Sequence, residues 1–101
     1  MIKLTVLYGH PKDISVFEDY YTNTHLPKVA KMKGFVKVEY TKFLGAPDGT
    51  KADYHCMAEF WFPDQEAIKK TLESPEGQAT ADDISNFATG GAKLLVGSVE
   101  K

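Results

Sequence analysis

Apolar residues alternate with polar ones in three segments and form a continuous run in a fourth, and the two helical segments between them fall in an order that few folds accommodate. Residues 2–8 set Ile2, Leu4, Val6 and Tyr8 against Lys3, Thr5 and Leu7, the period of two expected of a strand with one buried face. Residues 35–43 repeat the pattern, with Val36, Val38 and Tyr40 opposite Lys37, Glu39 and Thr41. Residues 54–62 separate Cys56, Ala58, Phe60 and Phe62 from His55, Met57, Glu59 and Trp61, and residues 92–100 form a fourth apolar run. After the first strand, Gly9-His10-Pro11 breaks the chain, and Ser15 with Glu18 has the capping-box spacing of a helix start. Val16, Phe17, Tyr20, Tyr21 and Thr24 then recur at helical spacing. Pro27 cannot donate its amide and disfavours helical geometry at Leu26, which predicts a kink or restart near His25 and a short helix through Met32 to Gly34. Pro47-Asp48-Gly49 makes residues 44–53 a surface connection. Asp64 caps a helix over 65–72, Ser74-Pro75-Glu76 reads as another start, and residues 80–87 add a final turn or two before Gly90-Gly91.

The order strand, helix, strand, then strand, helix, strand is the split βαβ arrangement. It predicts one α+β domain over residues 1–101, ferredoxin-like, with a four-stranded antiparallel sheet and both helical segments on one face. The apolar set under those helices is then Ile2, Leu4, Val6, Val36, Val38, Ala58, Phe60, Leu94 and Val96. The other face carries Thr5, Leu7, Glu39, Thr41, Met57, Glu59, Trp61 and Leu95, too apolar a set for a wet surface. Stacking two such sheets would hide it, which predicts a homodimer with His55 at or near the contact. Size argues the same way, because a chain of 101 residues buries only about two-thirds of its unfolded surface.

Charge narrows the function. The net charge is −2, and all 12 cations are lysine. Without arginine there is no rigid fork for phosphate, carboxylate or guanine, and no basic face for a nucleic acid. No apolar run approaches the ~20 residues needed to cross a bilayer, and the amino-terminal segment has no secretory pattern, so the expected partners include neither nucleic acid nor membrane and the expected address is cytoplasmic. Cys56 is the only cysteine, and its strand register points it under the helices as an inert thiol. The three histidines lack ligand spacing and a matched carboxylate, and no phosphate loop, dinucleotide fingerprint or haem-ligand motif is present. Neither a metal nor an organic cofactor is therefore expected.

Phe17-x2-Tyr20-Tyr21-x3-His25-x-Pro27, the Phe60-Trp61-Phe62 strand end, Ser74-Pro75-Glu76-Gly77 and Asp82/Asp83-x-x-x-Phe87 together resemble the EthD family, named for ethyl tert-butyl ether degradation. The resemblance covers essentially the whole chain, and the aromatic-to-His-x-Pro element is its most specific part. It implies the dimeric α+β barrel superfamily, a homodimer in which two sheets close a barrel, and a ligand pocket between the sheet and its helices. The namesake accompanies an ether-degrading cytochrome P450 system without a settled reaction of its own. Superfamily relatives include cofactor-independent cyclases and isomerases, cofactor-free monooxygenases and haem-binding proteins, so the fold fixes little chemistry.

Among the residues themselves, His25 is the leading candidate catalyst, with Tyr21 one turn before it on the same stripe. The imidazole would serve as general acid or base near neutral pH; the competing reading is that it caps free carbonyls beside Pro27. Tyr8 and Tyr40 are candidates to line the same pocket, where phenol groups polarise a carbonyl or hold a phenolic substrate. Phe17 and Phe87 complete the substrate-binding set, together with His10 at the pocket mouth. Asp82-Asp83 reads as a charged helix start. The expected function is binding, and proton transfer without a cofactor, on an apolar or aromatic small molecule in catabolism or secondary metabolism, by isomerase, cyclase, lyase or monooxygenase-like chemistry. The alternative is a non-catalytic carrier serving a partner oxygenase.

Overall fold

The computed structural model describes residues 1–100 of the chain. Strand β1 (Ile2–Tyr8) leads into helix α1 (Ile14–Tyr20), a π-helical turn (Tyr21–His25) and a short α2 (Leu26–Val29). Strands β2 (Lys37–Lys42) and β3 (Cys56–Phe62) follow, then α3 (Gln65–Glu73), α4 (Pro75–Phe87) and β4 (Ala92–Ser98). The sheet order is β2-β3-β1-β4 with every neighbouring pair antiparallel, the ferredoxin-like α+β arrangement that the alternation predicts.

Local chemistry sets the element ends. The α1 start is capped by Asp13, which accepts from the Val16 amide at 3.1 Å; Ser15 spends its hydroxyl on Asp13 and is not the cap. Asp64 accepts from the Ala67 amide at 2.9 Å. Ser74 caps a helix with Pro75 in its first turn, and that helix runs unbroken for 13 residues rather than as two short pieces. A Cβ on Gly77 would meet the Thr71 carbonyl, so only glycine lets α4 cross the end of α3 this closely.

Pro27 does not break the first helix. The preceding turn widens instead, and the Leu26 amide bonds the Tyr21 carbonyl five residues back. A wider turn absorbs the donor that proline lacks and the bulk of its ring.

The core lies between the helices and the inner face of β1 and β3. Leu4, Val6, Tyr8, Cys56, Ala58, Phe60 and Phe62 are buried, as are Phe17, Tyr21, Val29, Met32, Ile68 and Phe87 opposite them. The predicted inner face fails at the sheet edges. Leu94 and Val96 pair with Val6 and Leu4 but are 49% and 56% exposed, because the helices cover β1 and β3 and stop short of β4. Val36 lies outside β2 and is exposed as well.

A candidate acid–base site at the π-helical turn

The π-helical turn delivers Tyr21 and His25 to the same side of the helix, their rings stacked at 5.7 Å and 19°. Both lie over β1, where Tyr8 meets Phe17, Tyr21 and Phe87 at centroid distances of 5.7, 5.5 and 5.5 Å. Edge-to-face and offset pairs of this kind each contribute about 0.5–1.5 kcal/mol beyond their buried area. The Phe87 ring lies 4.6 Å from that of His25 and fixes the imidazole from behind.

The fourth side is supplied by α4. Asp83 is 2% exposed, and its carboxylate accepts from His25 Nδ1 at 3.0 Å, the Tyr20 hydroxyl at 2.5 Å, Asn86 Nδ2 at 3.0 Å and Lys28 Nζ at 3.2 Å. Sequence reading assigned no carboxylate to the histidines and placed the Asp82-Asp83 pair at a helix start. Asp83 instead lies inside α4, and it is the matched partner of His25. It also rules out the carbonyl-capping role for His25, whose Nδ1 donates to a carboxylate.

Burial pushes the Asp83 pKa up, but the hydrogen bonds from Tyr20, Asn86, His25 and Lys28 outweigh it and hold the carboxyl well below the usual range. For His25 burial dominates, lowering its pKa against the opposing pull of Asp83. Its resting form near neutral pH is therefore the uncharged imidazole with the proton on Nδ1, which leaves the Nε2 lone pair free.

His25 borders a cavity of about 40 Å³ between the helices and the sheet, together with Tyr8, Tyr21, Val29, Tyr40, Phe60 and Leu94 among others. Neither Nε2 nor the Tyr8 and Tyr21 hydroxyls have a protein hydrogen-bond partner among the described residues. Since no buried side-chain polar atom is sealed away without one, none of the three is fully enclosed by protein, and all three belong to residues that border the cavity. Burial raises the Tyr8 and Tyr21 pKa values, so both phenols stay protonated and act as donors. One base and two neutral donors thus converge on an otherwise apolar space.

The remaining sequence candidates fall elsewhere. Phe17 and Phe87 support the site from behind and do not border the cavity. His10 lies in the loop after β1, its Nε2 2.6 Å from the Ala52 carbonyl oxygen, away from His25. His55, expected at the open face, is buried against Phe17 with ring centroids 5.1 Å apart, and its Nε2 lies 3.2 Å from Glu18 Oε1. The Cys56 thiol is buried and its pKa is pushed up to about 12, chiefly by desolvation. Among the described residues no group of three histidine, cysteine or acidic side chains stands close enough to hold a metal ion, and no helix is long and apolar enough to cross a membrane.

Comparison with known proteins accords with this architecture. An uncharacterised 11.0 kDa protein of Rhodococcus erythropolis, from the thcB-thcC intergenic region, is 30% identical over 95 residues, covering 94% of this chain and 91% of the relative. The crystal structure of an ethyl tert-butyl ether (EthD) family protein of Bacillus halodurans superposes with a TM-score of 0.92 at 31% identity, covering 99% of both chains. A DABB family protein of Mesorhizobium loti with a ferredoxin-like fold shares the architecture, with a TM-score of 0.76 at 20% identity over 99% and 97% of the two chains. Residues 11–91 match the EthD domain, a span that holds the whole Tyr21, His25 and Asp83 constellation, and the chain belongs to the EthD domain family.

Proposed function

We propose that this chain is a homodimeric protein that binds an apolar or aromatic small molecule and moves a proton on it through His25. The observation that carries the reading is the His25–Asp83 pair, with Nδ1 held by the carboxylate, Nε2 free and the residue on the border of an apolar cavity. The neutral imidazole accepts a proton at Nε2, and the imidazolium that forms is stabilised by the adjacent carboxylate. Tyr8 and Tyr21 donate to an oxygen on which negative charge develops. That equipment suits isomerisation, cyclisation or lyase chemistry next to a carbonyl, and it calls on no cofactor. The family name of the Bacillus halodurans relative, ethyl tert-butyl ether, is that of a small, largely apolar molecule of the kind such a lining favours.

The test is turnover of a panel of phenolic and polyketide-like compounds by the parent chain, His25→Asn and Tyr21→Phe. Loss of a general acid or base should lower the rate per folded molecule ~100-fold or more, with the melting temperature measured as the control for folding. A rate per folded molecule that is unchanged in both variants removes catalysis and leaves a carrier for a partner oxygenase.

The dimer reading rests on the uncovered sheet face. Leu7, Met57 and Trp61 lie there half-buried and Leu95 exposed, with the Lys3 and Lys37 ammonium groups 5.5 and 4.6 Å from the Trp61 ring centroid. Ferredoxin-like proteins of this architecture from Bacteroides fragilis and Thermobifida fusca are dimeric. Trp61→Lys would place a third ammonium beside those of Lys3 and Lys37 in the contact, and sedimentation should then show monomer or aggregate; an unaltered dimer removes this face from the assignment.

A further inference from the structure

With Tyr40 in place, the His25 cavity by itself is too small for an aromatic guest. It measures about 40 Å³, room for a few waters, whereas benzene occupies engineered cavities of roughly 150 Å³. A groove of about 230 Å³ lies beside it, bordered by Glu18, Thr22 and Lys42 on the helix side and reaching Thr41 and Met57 at the margin of the proposed dimer face. Tyr21 and Tyr40 border both spaces, so these two rings are the partition between them.

The partition is lightly held on one side. Tyr40 is 45% exposed on β2, an edge strand, and its hydroxyl has no protein partner among the described residues. Its ring touches that of Tyr21 edge-on at 6.3 Å. Rotating this side chain away would leave Tyr21 alone between cavity and groove, and their joint volume approaches that of small-ligand sites.

The groove also has a chemical preference. Lys42 Nζ donates to Glu18 Oε1 at 2.6 Å and is 61% exposed, leaving two ammonium donors unused by the protein. Glu18 is also within reach of His55 at 3.2 Å, so it keeps a partner when Lys42 swings to another anion. An incoming cation, by contrast, meets the Lys42 ammonium and a carboxylate already engaged twice.

We infer that cavity and groove are two halves of one ligand site, entered past Tyr40, which takes a molecule with a phenol-sized aromatic head beside His25 and a carboxylate tail on Lys42. The inference rests on the proposed function for the role of the His25 end, and adds the route, the size and the charge of the ligand.

Two probes with the same head test it on the full chain: 3-(4-hydroxyphenyl)propanoate and 4-propylphenol, which differ in the carboxylate. Binding is followed by calorimetry, stopped-flow fluorescence and histidine-resolved NMR, with melting temperature as the control for folding. Lys42→Met should weaken the propanoate about two- to fivefold, the scale of an exposed ion pair, and leave 4-propylphenol unchanged. Tyr40→Ala should speed association of both probes, and Tyr40→Trp, the variant to use if the smaller side chain unfolds the chain, should slow it. Equal effects of Lys42→Met on both probes, association rates indifferent to residue 40, or no binding of either probe overturns the two-part site. If both probes shift His25 with no dependence on Tyr40 or Lys42, the two-part site falls and the His25 reading stands. If binding follows Lys42 and Tyr40 while turnover ignores His25→Asn, the site stands and proton transfer falls.

Discussion

The molecule contains two imidazole–carboxylate pairs about one helical system, and they differ in where the carboxylate sits. In the His25–Asp83 pair both side chains are sealed, at 4% and 0% exposure, and four protein donors surround the acid. In the His55–Glu18 pair the ring is buried but the Glu18 side chain is 28% exposed and shared with Lys42. The chemical types are the same, yet only the first has its histidine on the border of an apolar cavity. The placement of the acid, rather than the presence of a histidine, separates a candidate catalyst from a surface ion network.

The largest expected effect is on the sealed side. Asp83→Ala leaves Tyr20, His25 and Asn86 without their acceptor and Lys28 without its counter-charge. A buried donor left without its acceptor costs about 1–3 kcal/mol, so denaturant melts should show a loss of several kcal/mol. A loss below about 1 kcal/mol would mean that the pair is no stronger than a surface one.

Acid should then separate the pairs. Burial holds the folded His25 below its ordinary 6.5, so the unfolded chain takes up that proton first. Its contribution is complete above 6.5 and declines as pH falls from there toward the folded value. His25→Asn should flatten this slope, and thermal melts across the range measure it. Asp83 adds a second loss below its ordinary 3.8, because its folded pKa is lower still and stability drains as pH falls through it.

The smallest effect belongs to the exposed acid. Glu18→Gln removes a partly wet ion pair, and screening should keep the change within about 1 kcal/mol, with high salt erasing most of it. A loss as large as that of Asp83→Ala would cancel the contrast between the two sites.

Much of this was legible in the sequence, because period two marks strands wherever one face is buried. β1 and β3 follow it residue by residue, and Asp64 and Ser74-Pro75 mark real helix starts. The i, i+4 spacing of Tyr21 and His25 predicts one stripe, and the two rings do stack. The alternation misleads at His55, where the chain leaves regular pairing. Tyr8 is in register with Cys56, yet the His55 amide also bonds the Tyr8 carbonyl at 2.8 Å. Two residues then oppose one, as in a bulge, which re-aims a side chain, and His55 turns toward Phe17. Asp83 was missed because its partner is 58 positions away and an acidic doublet does not say which member faces inward. A signal existed: Thr80, Asp83 and Phe87 share one helical stripe, and all three are buried. The uncovered edge at β4 had no such signal, since apolar alternation does not record how far a helical layer reaches.

The π-helical turn has a consequence for how this site could arise or vanish. Such a turn is a helix holding one residue more than regular winding needs. Removing a single codon within Tyr21–His25 would let the segment rewind as an ordinary helix. The flanking helical segments would keep their places, since the turn only takes up the surplus residue, but a residue inside it would be re-aimed by about one 100° step. Tyr21 and His25 could then not both face β1 and Asp83, although every remaining side chain would be unchanged. For an EthD chain, the composition of the site and its existence are thus inherited separately, the first by substitution and the second by the length of one helix.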